Sequence, residues 1–199
     1  ERTMNTYLGA GAFLSVEDLN EEAIKSAEIL YMEGYLWDRP TSKEAFLYAA
    51  KLNKSSGGKN AITLSDVFCV EMHRDSFIEF IKESIDFVFC NEEEIMSLTM
   101  KETIDEAINS FTNLFPNIEE LVCTLGPRGA LVISNGKKSH YDATEAEVVD
   151  KTGAGDYFAA GYLYGLQKKL SIEESADIAN RSAANVISEF GVRPKNKFY

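Results

Sequence analysis

The sequence of 199 residues is 45% hydrophobic and carries a formal net charge of −12, with a pI of about 4.7. A chain of this size and composition can bury a substantial core, which predicts one domain over residues 1–199. Nucleic acids and anionic membranes attract basic surfaces, so the acidic balance argues against both as partners. An anionic small-molecule substrate is compatible with it, because the charge around a phosphate site is set locally.

Three cysteines, Cys69, Cys90 and Cys123, form an odd set without the CxxC spacing of metal or redox motifs. This pattern predicts buried free thiols in a reducing cytoplasm. No stretch approaches the roughly 18 consecutive apolar residues of a membrane helix, and none resembles a signal peptide. The sequence begins at Glu1 without an initiator methionine. We therefore expect that an N-terminal part of the natural protein precedes it.

Apolar runs alternate with segments of helical spacing and predict an ordered series of elements. Ser15 begins a short acidic helix, and Asn135-Gly136 is a strong hairpin signal between two later strands. In chain order we predict a strand at 2–7, a strand at 28–32, a loop at 34–38, a helix at 41–53, a strand at 60–64, a helix through 77–85, a strand at 86–90, a helix opening at 91–94, a helix at 104–114, strands at 121–125, 130–133 and 138–141, and helices at 156–169 and 172–190.

Strands that alternate with helices of about 10 to 15 residues indicate βαβ units. We predict a three-layer α/β fold, in which a doubly wound, mostly parallel sheet is covered by helices on both faces. Ligands of such sheets bind beyond the carboxyl ends of the strands. Polar and glycine residues collect at these ends: Gly34, Asp66, Asn91, 124–126 and 150–156. We expect the active site at this edge.

The turn Gly153-Ala154-Gly155 precedes the predicted helix at 156–169 and leaves backbone N–H groups unpaired. With the helix dipole behind them, these groups form a site for an anion, most often phosphate. Asp156 adds a carboxylate beside that anion. A phosphate-binding turn next to a carboxylate provides the two groups that transfer of a phosphoryl group to a hydroxyl needs at the least. The alternative is an ordinary tight turn before a helix that packs closely through Gly161 and Gly165.

Three short sequence blocks match motifs of one protein family in the same order along the chain. They are Asn91-Glu92-Glu93-Glu94, then Thr124-Leu125-Gly126-Pro127-Arg128-Gly129-Ala130, then Asp150-Lys151-Thr152-Gly153-Ala154-Gly155-Asp156. They resemble the Asn-x-x-Glu motif, the Thr-x-Gly-x-x-Gly segment and the second signature of the ribokinase-like (PfkB) family of carbohydrate and nucleoside kinases. Residues 2–6 and 33–36 resemble the branch that includes adenosine-kinase-like proteins. Lys151 departs from the family pattern, which has a small or β-branched residue there.

The resemblance implies a ribokinase-like kinase domain, with residues 1–199 as its C-terminal, nucleotide-binding and catalytic portion. The small β lid that reads the acceptor would lie largely upstream of Glu1. The implied activity is ATP- and Mg²⁺-dependent phosphorylation of a primary hydroxyl of a sugar or nucleoside, with adenosine-like acceptors favoured. Lid strands often pair between subunits in such proteins, which leaves a homodimer open.

The resemblance also assigns catalytic roles. Asp156 is the base that accepts the proton of the acceptor hydroxyl, and the turn at Gly153, Ala154 and Gly155 stabilises charge on the transferring phosphate. Glu94 holds Mg²⁺ through water, because Mg²⁺ keeps much of its hydration shell. Asn91 approaches the phosphates.

Further implied positions form the rest of the site. Asp150, with Thr152, matches a position where some members bind a monovalent cation such as K⁺, and Arg2 would contact a phosphate or the substrate. The implied nucleotide-binding residues are Asn91, Thr124, Gly126, Gly129, Thr152 and Asn185.

Simpler interpretations stay open at several positions. Residues 91–94 are also typical of an acidic capping turn. Residues 124–129 are also typical of a β-turn between strands. Asn185 would then be an exposed helical residue and Arg2 a surface arginine. His73 and His140 lack metal-ligand spacing and are expected at the surface.

Two other functions are alternatives for the whole chain. A non-catalytic nucleotide-binding protein, such as a pseudokinase or ATP sensor, would bind ATP without turnover, and the intact Asp156 and Glu94 argue against it. A dinucleotide-binding dehydrogenase needs a third glycine where this chain has Phe158. Gly57-Gly58 lies at a helix end, so we do not match it to the family's sugar-binding glycine signature.

Overall fold

A computed structural model describes residues 7–193 of the chain. Residues 2–6 of the first predicted strand lie outside this range, and they include the predicted site residue Arg2. Within the range, short 3₁₀ turns accompany seven α-helices and six strands. These are α1 Glu21–Ser26, β1 Ile29–Glu33, α2 Pro40–Ser55, β2 Lys59–Thr63, α3 Val67–Ser84, β3 Phe87–Asn91, α4 Glu92–Thr99, α5 Ile104–Leu114, β4 Glu120–Thr124, β5 Ala130–Ser134, β6 Lys137–Tyr141, α6 Ala154–Gln167 and α7 Ile172–Ile187.

The strands form one sheet in the order β1-β2-β3-β4-β5-β6. β1 pairs with β2 in parallel, and β2 pairs with β3 in parallel, with Ala61 opposite Phe87. Consecutive residues are buried along β2, β3, β4 and β5. Because neighbouring side chains of a strand point to opposite faces, this burial means that both faces are covered. The predicted α/β fold around a mostly parallel sheet is confirmed.

Contacts between Cα atoms divide the described chain into two compact units. The first contains residues 7–123 and 133–137. Its core includes an aromatic cluster in which Trp37 stacks on Phe80, with ring centroids 4.5 Å apart, and on Phe77, at 5.6 Å. The indole Nε1–H of Trp37 donates to Ser76 Oγ at 2.9 Å. These contacts explain why Gly34–Asp38, predicted as a loop, forms a 3₁₀ helix instead.

The second unit contains residues 124–132 and 138–193 and is built on α6 and α7. A Cβ added to Gly161 would lie 2.8 Å from Ala179 Cα, and one added to Gly165 would lie 2.8 Å from Ser175 Cα. Only glycine permits this approach of the two helix backbones. The packing role considered for the two glycines is therefore confirmed.

Candidate functional site

The loop that leads into α6 is organised by Asp150. Its Oδ1 accepts hydrogen bonds from Thr152 N at 2.9 Å and Thr152 Oγ1 at 2.7 Å. Its Oδ2 accepts from Gly191 N at 3.2 Å. The carbonyl of Ile187 accepts from Asp150 N at 3.2 Å, which ties the loop to the end of α7. Asp150 thus shapes the loop whether or not a cation binds there, and its cation role stays a prediction.

The start of α6 exposes the predicted anion turn. Gly153 is the N-cap residue, with φ 84°, a left-handed conformation that favours glycine, and no side chain caps the helix. The first N–H groups of an α-helix have no acceptor within the helix, so those of Gly155 and Asp156 are available to a ligand. Both residues are exposed, and a Cβ added to Gly155 would meet nothing within 4 Å. The geometry suits an approaching phosphate.

The turn after β4 contains the predicted nucleotide-side glycines. Leu125 N donates to Gly129 O at 2.8 Å, and Gly129 N donates to Gly126 O at 3.0 Å. Gly129 has φ 86°, and an added Cβ would overlap Tyr141 O and lie 2.7 Å from Ala143 N. Packing alone therefore requires Gly129, which supports the β-turn interpretation. The nucleotide roles of Thr124, Gly126 and Gly129 stay predictions.

Asn91 and Glu94 form a reciprocal cap at the start of α4, in the first unit. Glu94 N donates to Asn91 Oδ1 at 2.8 Å, and Asn91 N donates to Glu94 Oε2 at 3.0 Å. A third bond runs from Asn91 Nδ2 to Glu94 Oε1 at 2.7 Å. The predicted capping turn is confirmed, and it holds the Glu94 carboxyl in one orientation, only 5% exposed.

Burial raises the pKa of Glu94 from its ordinary value of 4.5 to about 7. The backbone N–H of Asn91 lowers this pKa, whereas the carboxylates of Asp66, Glu93 and Glu33 raise it. A cation near these carboxylates would favour the ionised form. Glu33 is the last residue of β1, and Asp66 follows the carboxyl end of β2. The sequence indicates Asp66 as a polar residue at a strand end, but no local pattern indicates the effect of Asp66 and Glu33 on Glu94.

Glu94 offers one oriented carboxylate to a metal ion. Within residues 7–193, no group of three or more His, Cys, Asp or Glu side chains is arranged to hold a metal ion. Each Glu94 carboxylate oxygen accepts one hydrogen bond from Asn91 and has further lone pairs. A single oriented carboxylate of this kind fits an ion that keeps most of its water ligands, which is the preference of Mg²⁺.

Other predicted positions have mixed outcomes. Asn185 lies on α7 and is half-buried rather than exposed. His73, expected at the surface, is also half-buried, because its ring lies between Lys43 Nζ at 3.3 Å and Asp38 Oδ1 at 3.4 Å. His140 is exposed as expected.

The three cysteines are free thiols, as predicted. Cys90 and Cys123 are buried, whereas Cys69 is half-buried. Burial raises the pKa of Cys69 to about 11, so its thiol is inert at neutral pH. None of the helices described between residues 7 and 193 has the length and apolar character needed to cross a bilayer.

The chain resembles known proteins in sequence and in fold. The model of the pfkB family carbohydrate kinases matches residues 1–197. The structure of an adenosine kinase from Sinorhizobium meliloti is 35% identical, with a TM-score of 0.88, and the match covers 93% of this chain and 56% of that one. A ribokinase from Lactococcus lactis is 30% identical over 120 residues, which are 60% of this chain and 38% of the ribokinase.

A third relative shares the fold at lower identity. It is an E. coli protein solved in complex with ATP and Mg²⁺, 23% identical, with a TM-score of 0.82, and the match covers 90% of this chain and 58% of that one. The chain therefore spans about 56–58% of the length of these two solved relatives.

Sequence and fold agree on one relationship. The matched segment takes in all three motif blocks, and each block lies where a strand ends or a helix begins. The family resemblance drawn from these motifs is confirmed. The chain belongs to the pfkB family of carbohydrate kinases.

Proposed function

We propose that this chain is the nucleotide-binding and catalytic part of a kinase that transfers the γ-phosphoryl group of ATP to a primary hydroxyl of a sugar or nucleoside. The observation that carries the proposal is the start of α6. There the uncapped Gly153-Ala154-Gly155 turn, with its exposed N–H groups, is followed directly by the exposed carboxylate of Asp156. An anion site and a proton acceptor in consecutive residues suit phosphoryl transfer.

In the proposed reaction, a bond forms between the acceptor hydroxyl oxygen and the γ-phosphorus, and the bond from that phosphorus to the β,γ-bridging oxygen breaks. The Asp156 carboxylate accepts the hydroxyl proton, and ADP departs. Because the transition state of phosphoryl transfer is loose, Asp156 contributes mainly by positioning the nucleophile. The N–H groups of Gly155 and Asp156 donate to the transferring phosphoryl group, whereas that of Ala154 donates to Lys151 O at 3.3 Å.

Glu94 and Asn91 have the proposed role on the metal side. Bound Mg²⁺ would neutralise charge on the β- and γ-phosphates. The Glu94 carboxylate, oriented by the two hydrogen bonds that it accepts from Asn91, would accept hydrogen bonds from the water ligands of the ion. A pKa of about 7 leaves Glu94 partly protonated at neutral pH, and the cation would shift it to the ionised form.

The remaining roles are proposed on the motif match. Asp150 and Thr152 would hold a monovalent cation such as K⁺ beside the anion turn, and Arg2 would contact substrate. The proposed nucleotide contacts are Asn91, Thr124, Gly126, Gly129, Thr152 and Asn185. We place the protein in the cytoplasm, because its cysteines are free and ATP is the proposed donor.

Adenosine is the acceptor we propose first. The S. meliloti adenosine kinase is 35% identical to this chain. The L. lactis ribokinase matches 60% of this chain. Other relatives named as sugar kinases match 90% or more of it at 25–28% identity, so sugars belong in the panel of acceptors. The E. coli complex with ATP and Mg²⁺ supports the same donor and metal here.

The test is ADP release by the full-length protein with a panel of nucleosides and sugars in the presence of Mg²⁺. We expect Asp156→Asn to lower kcat by a factor of about 10² to 10⁴, with the KM for ATP nearly unchanged. Asp142→Asn is the matched control, because that side chain is 98% exposed. Full turnover by Asp156→Asn would remove Asp156 as the base. ATP binding without turnover of any acceptor would favour the non-catalytic alternative.

A further inference from the structure

The anion turn at the start of α6 has little rigidity of its own. It contains two glycines among residues 153–155, and no side chain caps it. Glycine leaves the backbone free to adopt many conformations. Donors that stabilise a transition state are effective only when they are already oriented before the reaction. Some other part of the chain must therefore hold this turn in place.

Residues 188–192, which follow α7, cross this turn, and we call them the brace. On one side, Gly191 N donates to Asp150 Oδ2 at 3.2 Å. On the other side, Tyr157 Oη donates to Val192 O at 3.1 Å. Between these anchors, the side chain of Val192 packs on the turn itself, since a Cβ added to Gly153 would lie 3.3 Å from Val192 Cγ1. The brace is thus attached before and after the turn and contacts its first residue, Gly153.

Tyr157 is the α6 residue that anchors the brace. It lies in the first turn of α6, directly after Asp156, so its bond to Val192 O connects the brace to the same helical turn that carries the carboxylate. The hydroxyl is the only part of the side chain that makes this bond, and the ring can pack without it. A change of that one atom therefore separates the anchoring role from simple packing.

We propose that Tyr157 is a positioning residue, whose hydroxyl fixes the brace over Gly153 and so orders the N–H groups of Gly155 and Asp156. The inference rests on the proposed function for its effect on catalysis, whereas its effect on the order of the turn is independent of that function. Tyr157 touches neither the phosphate nor the acceptor in this proposal. It acts through the brace.

Tyr157→Phe in the full-length protein tests the proposal. Tyr164→Phe is the matched control, because Tyr164 lies on the same helix, 51% exposed, with its ring near Lys168 Nζ. We expect faster deuterium exchange of the amides of residues 152–156 in Tyr157→Phe and not in the control. We also expect kcat to fall about tenfold with the KM for the acceptor unchanged, because the ordered donors act in the transition state.

A second variant tests whether the effect passes through the brace. Val192→Ala removes the contact on Gly153 but keeps the carbonyl that accepts from Tyr157. If both residues act through the brace, the double variant loses little more kcat than the more severe single variant. Multiplied losses would overturn the proposal, and so would unchanged exchange at residues 152–156 in Tyr157→Phe, or faster exchange with unchanged kcat.

Failure of the proposed function gives a different result from failure of this inference. If the wild-type protein turns over no acceptor, the proposed kinase activity fails. Deuterium exchange and the affinity for ATP, measured by calorimetry, then decide the inference alone. Faster exchange with weaker ATP binding in Tyr157→Phe supports the brace, and wild-type values for both overturn it.

Discussion

Glu94 shows how a local sequence signal and a buried environment combine at one residue. The Asn91–Glu94 spacing is a helix cap that sequence alone predicts, and the cap is present. Burial then gives this carboxyl a pKa of about 7, with Asp66, Glu93 and Glu33 as further contributors. Ionising this buried carboxyl at neutral pH lowers the free energy of unfolding, and a bound cation would offset that loss.

The first prediction concerns stability against pH. In the unfolded chain Glu94 loses its proton near pH 4.5, but in the folded protein it keeps the proton to about pH 7. The folded state therefore binds more protons between these values, so the free energy of unfolding falls as pH rises through this window, by about 3 kcal/mol in total. Urea unfolding of wild type and Glu94→Gln at pH 5 and pH 8 measures this change in the free energy of unfolding.

We expect Glu94→Gln to gain about 3 kcal/mol relative to wild type between pH 5 and pH 8. Glu102→Gln is the control, since Glu102 is exposed and is not among the carboxylates that raise the pKa of Glu94. Any constant effect of the substitution on the cap cancels in the comparison of the two pH values. Parallel pH profiles of wild type and Glu94→Gln would show that the buried carboxyl is already ionised at pH 5.

At the scale of elements, α6 serves two purposes with its glycines. Gly161 and Gly165 allow the close packing on α7, and Gly155 meets no other group in the described structure. Packing therefore explains two of these glycines but not Gly155. We attribute Gly155 to the ligand, because a bare backbone lets a phosphate approach the N–H groups closely.

The second prediction contrasts Gly155→Ala with Gly161→Ala. Alanine is the better helix former, so Gly155→Ala should raise the free energy of unfolding by about 0.5 kcal/mol. It should lower kcat/KM for ATP, because the new methyl group lies where the phosphate approaches. Gly161→Ala should instead destabilise the protein by about 2 kcal/mol through overlap with Ala179. Chemical denaturation and ADP release on both variants provide the measurements.

The assignment of Gly155 to the ligand and of Gly161 to packing predicts that the two substitutions change the free energy of unfolding in opposite directions. If Gly155→Ala is destabilising, the residue has a structural role that the geometry does not show. If Gly155→Ala keeps full kcat/KM, then phosphate does not approach this part of the backbone.

Most elements could be predicted from sequence because their periodicity and caps are local. The helix at Ile104–Leu114 matches its predicted bounds, since Thr103 caps it and its buried residues recur at helical spacing. The helix Glu21–Ser26 was missed, because six residues with one buried side chain, Ile24, give no periodic signal. α6 begins two residues earlier than predicted, because its N-cap is a left-handed glycine rather than a polar capping side chain.

The candidate site was predictable only in part. Its motif residues are contiguous in the chain, so spacing alone indicated an anion turn and an adjacent carboxylate. Two features depend on residues distant in sequence: the effect of Glu33 and Asp66 on Glu94, and the brace at residues 188–192. Such features come from tertiary packing, which no local pattern records.

At the scale of the whole molecule, the chain spans 56% of the S. meliloti adenosine kinase that it matches. Acceptor recognition and turnover are therefore properties to measure on the full-length protein. ATP binding is the more direct test of this chain. The residues proposed to form the ATP and phosphate site, apart from Arg2, lie among the described residues 7–193. The acidic net charge of −12 does not oppose it, since the N–H groups of α6 act at close range.

The third prediction is a thermal shift caused by ligand. A ligand that binds only the folded state at 100 times its Kd raises the free energy of unfolding by about 2.7 kcal/mol. For a protein of this size class that corresponds to an increase in Tm of roughly 5 to 10 °C. We expect this increase with ATP and Mg²⁺ together and none with NAD. Asp156→Asn should keep it, because Asp156 acts on the acceptor proton, whereas Gly155→Ala should reduce it. A shift with NAD and none with ATP would instead favour the dehydrogenase alternative.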